Sequence, residues 1–359
     1  MAHLSGLLLV DCPASALNNA GAEQGARTDN VVAVKKIRTK AGTFPYVSAQ
    51  AFRYWLREAL QGVEGWTPSP TFREEKIAYT DANPILYAED DIFGYMRAPS
   101  TKTEAVASRE EKGTLKSATP IETKTTLTRS SALKMSTLVS IAASDPADDF
   151  GVMARHEGNP VPHEHQFYRT TLMGMFSVDL RMLGRFYHVD RTGYKHLDSV
   201  RKELAAKQGL KPYDNERAYE LPIETRKQRL RQLLQGLSQI AGGAKLALHY
   251  TDVSPRLLML AVAKGGNHLF GTAVGADNKG LPKLNTAALK QVAEVYKDSL
   301  LSKFHLGAVE GYLDDQQKTA LAETVSQING SQPSVLPHPR QAINALVAEL
   351  DQKAGEWLA

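Results

Sequence analysis

The sequence predicts an α+β fold built on a ferredoxin-like sheet with expanded loops. Three observations lead there. A short run dense in Leu and Val opens the chain at residues 4–11. An amphipathic helix begins after Ser48 and ends near Gly62. A long, polar, proline-broken stretch then separates these from a second series of strand, helix and strands. Strand, helix, insertion, strand, helix, strands is the order expected of such a sheet.

Residues 4–11 read as a buried strand, because the apolar run is short and nearly continuous. Pro13 ends it. Cys12 is the single cysteine, which excludes an internal disulfide and a cysteine-cage zinc site. With Val10 and Pro13 beside it, it reads as a packing thiol rather than a nucleophile. Residues 15–29 form a polar loop. Asn18, Asn19, Gly21 and Gly25 there allow unusual backbone angles and close approach to a ligand.

Residues 30–57 carry Lys35, Lys36, Arg38, Lys40, Arg53 and Arg57 and no Asp or Glu. An apolar and basic run to Lys40 is followed by a turn at Ala41-Gly42-Thr43. The Ser48 hydroxyl can then accept a bond from an unpaired first-turn amide and cap a helix. Phe52, Trp55, Leu56 and Leu60 recur at helical spacing as one buried stripe. Gln50, Arg53 and Arg57 fall on a different face. Arginine forks and helix N-terminal amides both suit phosphate, against the plainer reading of a solvated basic face. The absence of any acid favours phosphate.

Residues 64–128 read as an insertion, interrupted by Pro68, Pro70 and Pro84 and poor in apolar residues after Pro99. Asp90 and Asp91 precede the apolar island 92–96 and read as a helix N-terminal charge pair in preference to a metal site. Lys116, Lys124 and Arg129 lie in or beside a Thr-rich run. Residues 130–143 read as a short helix through Leu133, Leu138 and Ile141. Residues 144–166 are a turn-rich excursion carrying Phe150, Val152 and Met153, an apolar trio that is costly without a partner. His163-Glu164-His165 offers two metal ligands but no third at a suitable spacing, so no metal site is expected.

Residues 167–180 alternate as a half-buried strand. Residues 222–241 are the clearest helix, opened by Pro222, with Leu230, Leu233, Leu234 and Leu237 on one face and Gly242-Gly243 as its end. Residues 245–250 and 256–264 read as strands. Gly265-Gly266-Asn267-His268 reads as a turn, with an anion-accepting nest as the alternative. Residues 287–300 and 340–358 read as helices.

The 359 residues suffice for a large core in one elaborated domain or two. Hydrophobic content of 42% and charged content of 23% are ordinary for a globular protein. The net charge of +4 means that a polyanion must be met by local clusters. The N-terminus lacks a signal-peptide pattern and no apolar run approaches membrane-spanning length, so a cytoplasmic protein is expected. A phosphate loop, a Gly-x-Ser-x-Gly elbow and the aromatic strand motif of ordinary RNA-recognition domains are all missing. RNA contacts would run through loops and the helix.

Two segments carry a resemblance: Ser15-Ala16-Leu17-Asn18-Asn19 with Gly21 and Glu23, and Phe44-Pro45-Tyr46-Val47-Ser48-Ala49-Gln50-Ala51-Phe52-Arg53. They resemble the backbone subunit of Cascade, the RNA-guided surveillance complex of type I CRISPR systems. The nearest branch is the DevR-like group of type I-B systems within the Cas-seven family. Asp91-Ile92-Phe93-Gly94-Tyr95-Met96 and His165-Gln166-Phe167-Tyr168-Arg169-Thr170 fit the same branch. The likeness runs in order to about Gly271.

The resemblance implies a hand-shaped subunit. Its palm is a modified ferredoxin-like or RRM fold over residues 1–63 and 167–359. A finger insertion covers 64–143 and a thumb covers 144–166. It implies a non-catalytic protein without cofactor that polymerises along CRISPR guide RNA. Partners would be target DNA paired to the guide, further copies and other Cascade subunits, with no membrane. Lys35, Lys36, Arg38, Gln50, Arg53 and Arg57 would grip guide phosphates, bordered by Ser15, Asn18 and Asn19. Lys116, Lys124 and Arg129 would lie on the finger side. Phe150, Val152 and Met153 would be the thumb wedge, with Arg155 on the RNA backbone. Phosphate contacts give affinity without sequence preference, as a subunit serving any guide requires. One alternative is a type III-like subunit cleaving target RNA through Asp29. Another is a small-molecule enzyme with a basic anion pocket, for which no nucleophile, base or cofactor loop is in sight.

Overall fold

The computed structural model describes residues 1–21, 31–74, 77–98, 125–332 and 335–359. Asp29, Lys116 and Lys124 lie outside them. The helices described are α1 (Ala49–Gln61), α2 (Ala88–Phe93), α3 (Ser199–Lys207), α4 (Ile223–Ser238), α5 (Thr286–Val295), α6 (Asp315–Asn329) and α7 (Pro339–Trp357). None is long and apolar enough to cross a membrane.

The first strand, Ala2–Ser15, lies between Val161–Asp179 and Leu257–Lys264, antiparallel to both. Leu133–Met135 and Leu138–Ser140 pair on the far side of Val161–Asp179. Four strand positions therefore stand in the spatial order fourth, first, third, second. α1 falls between the first and second, and α4 between the third and fourth. This is the ferredoxin-like plan. His305–Ala308 extends one end of the sheet, and the hairpin of Lys36–Thr39 with Gly42–Val47 extends the other.

The first strand reads as one apolar run because both of its faces are covered. Leu4, Leu8, Val10 and Cys12 share a core with the inward stripes of α1, α4 and α7. Leu7 and Leu9 face a second core with Phe270, Phe304 and Leu321. Cys12 sits wholly inside, and burial pushes its thiol up to about 12. It is a packing residue. Phe52, Trp55, Leu56 and Leu60 are the buried stripe of α1, and the Ser48 hydroxyl accepts the Ala51 amide at 3.3 Å.

Several expectations are corrected. Residues 130–143 hold two strands, not a helix. Leu133 and Leu138 are an odd number of residues apart, so an unbroken strand would send them to opposite faces. A break at Ser136-Thr137 returns both to the same core. There the Ser136 hydroxyl accepts the Met175 amide at 2.9 Å. These strands also belong to the main sheet. α4 stops at Ser238, ahead of the glycines. A Cβ on Gly242 would lie 2.3 Å from the Trp55 ring, so that glycine lets the chain pass the indole. Residues 245–250 form a turn, with the amides of Leu248 and His249 donating to the Lys245 carbonyl at 3.0 and 2.9 Å. Leu248 and Tyr250 are consequently exposed rather than alternating into a sheet.

Candidate nucleic-acid interface

The basic set gathers at the outer edge of the sheet. Asn18 organises it: its Oδ1 accepts the Ser48 amide at 3.0 Å and its carbonyl accepts the Lys35 amide at 2.9 Å. One residue thereby joins the polar loop, the basic strand and the start of α1. Asn19 is half-buried and pairs opposite Val34. Lys35 and Lys36 are half-buried, while Arg38, Lys40 and Gln50 are exposed. Lys36 Nζ donates to Gln166 Oε1 at 2.9 Å, and Gln166 Nε2 donates to Asp148 Oδ1 at 2.9 Å. The basic hairpin is thus tied to the root of a second hairpin.

That second hairpin pairs Ala147–Met153 with the start of the long strand Val161–Asp179. Its far end carries Phe150, Val152 and Met153 at 61%, 50% and 51% exposure. Arg155 is exposed beyond them. An apolar ribbon on a polar hairpin gains nothing for an isolated chain. In the His163-Glu164-His165 run, strand alternation puts the two histidines on one face, their rings stacked 6.4 Å apart. Glu164 points to the other.

Four other candidates are placed differently. Ser15 is fully buried and its hydroxyl pairs with that of Thr251 at 2.6 Å, so it borders no open groove. Arg53 donates to the Leu133 carbonyl at 2.6 Å, the Phe93 carbonyl at 2.8 Å and Ser131 Oγ at 3.1 Å. Burial, then the neighbouring Arg57, brings it down to about 10. Arg57 pairs with Glu89 at 2.9 Å and lies 4.2 Å over the Phe93 ring. These two arginines clamp α2, at the base of the insertion, onto α1.

Arg129 is 3% exposed and lies in the core. Its guanidinium donates to Asp91, to the carbonyls of Met182 and Arg185 at 2.7 and 2.8 Å, and to His196 Nδ1 at 2.8 Å. His196 Nδ1 also accepts the Tyr187 amide, which leaves the proton on Nε2, bonded to the Gly193 carbonyl at 2.9 Å. Burial, then Arg129, holds this imidazole well below the usual histidine range. Asp91 does stand in the first turn of α2. Its carboxylate meets Arg129, Arg229 Nη1 at 2.7 Å and the Gly184 amide at 2.9 Å.

Sequence reasoning missed His249. It lies on the 245–250 turn, with Nε2 2.7 Å from His165 Nε2. No local spacing could have joined positions so far apart in the chain.

A model of the family described as "CRISPR-associated negative auto-regulator DevR/Csa2" matches residues 10–271. Comparison with curated proteins found no match. Among solved structures, a chain of a "CRISPR RNA-guided surveillance complex" aligns with 97% of this chain and 99% of its own. The identity is 13% and the TM-score 0.50, which establishes a shared fold. A chain of a "CRISPR RNA-guided surveillance complex, pre-nicking" aligns over 97% and 99% at 13% identity and a TM-score of 0.49.

Proposed function

The chain belongs to the CRISPR-associated DevR/Csa2 family, and from that premise we propose that it is the repeating, guide-RNA-binding subunit of a type I surveillance complex. Lys35, Lys36, Arg38 and Gln50 meet guide phosphates, and Asn18 and Asn19 shape the groove beside them. Phe150, Val152 and Met153 enter a base step of RNA held by the adjacent copy, with Arg155 on the backbone. Apolar insertion costs unstacking but fixes the spacing of the remaining bases. Base pairing with target DNA reads the sequence, so the protein need only hold the guide. It works in the cytoplasm with further copies and other Cascade subunits, and cuts no RNA itself.

One observation carries this reading. An exposed basic hairpin is hydrogen-bonded, through Lys36, Gln166 and Asp148, to a hairpin with an exposed apolar end. Phosphate grip and base wedge are thereby built as one unit. Arg53 and Arg57 clamp α2 onto α1 instead of touching RNA.

The test is purification from cells expressing a CRISPR array, followed by binding measurements. A bound short RNA is expected. Arg38→Ala should weaken binding alike for guides of different sequence and reduce the salt slope by about 0.7. A loss confined to one sequence, or no bound RNA, overturns the reading. Regular cutting of paired RNA with Mg²⁺ or Mn²⁺ would favour the type III-like alternative.

A further inference from the structure

Asp149, His165 and His249 bring three ligand atoms within 4.8 Å of one another. We propose that they hold one divalent cation of the zinc class, which clips the 147–167 hairpin to the 245–250 turn. Asp149 and His165 face each other across paired strands. Asp149 Oδ2 lies 3.4 Å from His165 Nε2. His249 comes from the turn and is held by its neighbours: its ring stacks on Phe167 at 5.0 Å and meets the His165 edge at 4.9 Å.

The donor set selects the metal. Two imidazoles and a carboxylate suit Zn²⁺ and its borderline neighbours, while Mg²⁺ and Ca²⁺ prefer oxygen donors. Three protein ligands leave a fourth tetrahedral position for water, as in open zinc sites. The Asp149 side chain is 54% exposed, which opens that side to solvent. Burial, then Lys245 and His249, keeps the His165 imidazole below the usual histidine range. Metal binding takes the His165 Nε2 lone pair, and the contact of that atom with His249 is exchanged for metal.

The two Nε2 atoms lie 2.7 Å apart. Tetrahedral zinc bonds of about 2.0–2.1 Å put ligand atoms roughly 3.3 Å apart. The histidine pair must therefore open by about half an ångström on loading, a movement that rotation of the half-buried His249 side chain supplies. Two features temper the affinity. Lys245 adds a nearby positive charge. The buried His165 Nδ1 has no hydrogen-bond partner among the described residues. A missing outer-shell partner typically costs about 10–100-fold in metal affinity. The site is reversible rather than a permanent structural zinc. It lies one rung from Gln166, so loading adds positive charge beside Lys36 and fixes the hairpin's attitude to the sheet.

The experiment uses the untagged full chain, stripped with chelator and then titrated with Zn²⁺ against a chromophoric chelator. Co²⁺ spectra report the coordination geometry. One Zn²⁺ per chain is expected, with a tetrahedral cobalt spectrum and a raised Tm. His249→Ala and Asp149→Asn, both at partly or well exposed positions, should each lose at least about 10-fold in affinity. They should also lose the Tm rise. His163→Ala, beside the site but outside the ligand set, should keep both. Absence of saturable Zn²⁺ binding, or unchanged affinity in His249→Ala, overturns the site. Zinc-dependent RNA cutting that His249→Ala abolishes would make the metal catalytic and overturn the clip.

Discussion

Asp91 carries its charge in the interior of the protein. Fully buried, it faces Arg129 and Arg229 at once. Asp91→Ala would leave two buried guanidiniums without their counter-ion. A loss of about 3–5 kcal/mol is expected in urea unfolding; a change below 1 kcal/mol would mean that water or rearranged carbonyls compensate. Its neighbour Asp90 is met by neutral donors instead. Burial raises its carboxyl to about 6, although Ser69 Oγ and the Asn83 amide both donate to it at 2.8 Å. An unfolded aspartate titrates near 3.9. Between those values the folded chain holds the extra proton, so this contribution is full below about pH 4 and is lost as pH rises through 6. The loss by pH 7 is roughly 3 kcal/mol. Asp90→Asn keeps an acceptor and removes the charge. Its stability relative to the parent should climb between pH 4 and 6, whereas parallel pH profiles would contradict the assignment. The acidic pair and the basic cluster were both visible in the sequence. What was not visible is who meets them. Arg53 finds carbonyls at residues 93 and 133, and no charge count reveals that a nearby backbone, not a phosphate, takes up a guanidinium.

At the level of elements, legibility followed range. α1 was readable to its ends because its cap and stripe are local. α6 carried signals as clear, an Asp314 cap and a left-handed Gly330, and its face pattern was simply weaker. The strand pair at 133–140 was illegible because its break only makes sense beside Met175 of the neighbouring strand. The same holds for the 245–250 turn, whose Leu246, Leu248 and Tyr250 mimic strand alternation. The 147–153 hairpin yields the sharpest test at this scale. Phe150→Ser, Val152→Ser and Met153→Ser together should leave the Tm of the isolated chain nearly unchanged, since substitutions at exposed sites usually shift stability by less than about 0.5 kcal/mol each. Periodic nuclease protection of bound guide should disappear. A large Tm fall would show that the trio packs on its own subunit and would sink the wedge.

On the scale of the molecule, two of the cores among the described residues lie on either side of one sheet, and α7 closes the first of them. Trp357 is 1% exposed and its indole N–H donates to the Leu301 carbonyl at 3.3 Å. Trp357→Ala should cost about 3–5 kcal/mol, read as a fall in the urea midpoint; a near-neutral outcome would mean that α7 docks independently of the core. Residues 272–359, beyond the span matched by the family model, thus contribute α7 to the first core. One further property follows from the strand Val161–Asp179. Its 19 residues extend for roughly 60 Å at about 3.3 Å each. The first third is splinted by Ala147–Met153 and most of the remainder by Ala2–Ser15. The strand runs unbroken from the exposed hairpin into the middle of the sheet, and the register of its pairing with the first strand shifts once, between Cys12 and Ser15, where the two splints meet. The twist of that one strand therefore sets how the exposed end of the hairpin sits relative to the sheet, and changing that attitude would mean altering the sheet's interior rather than its surface.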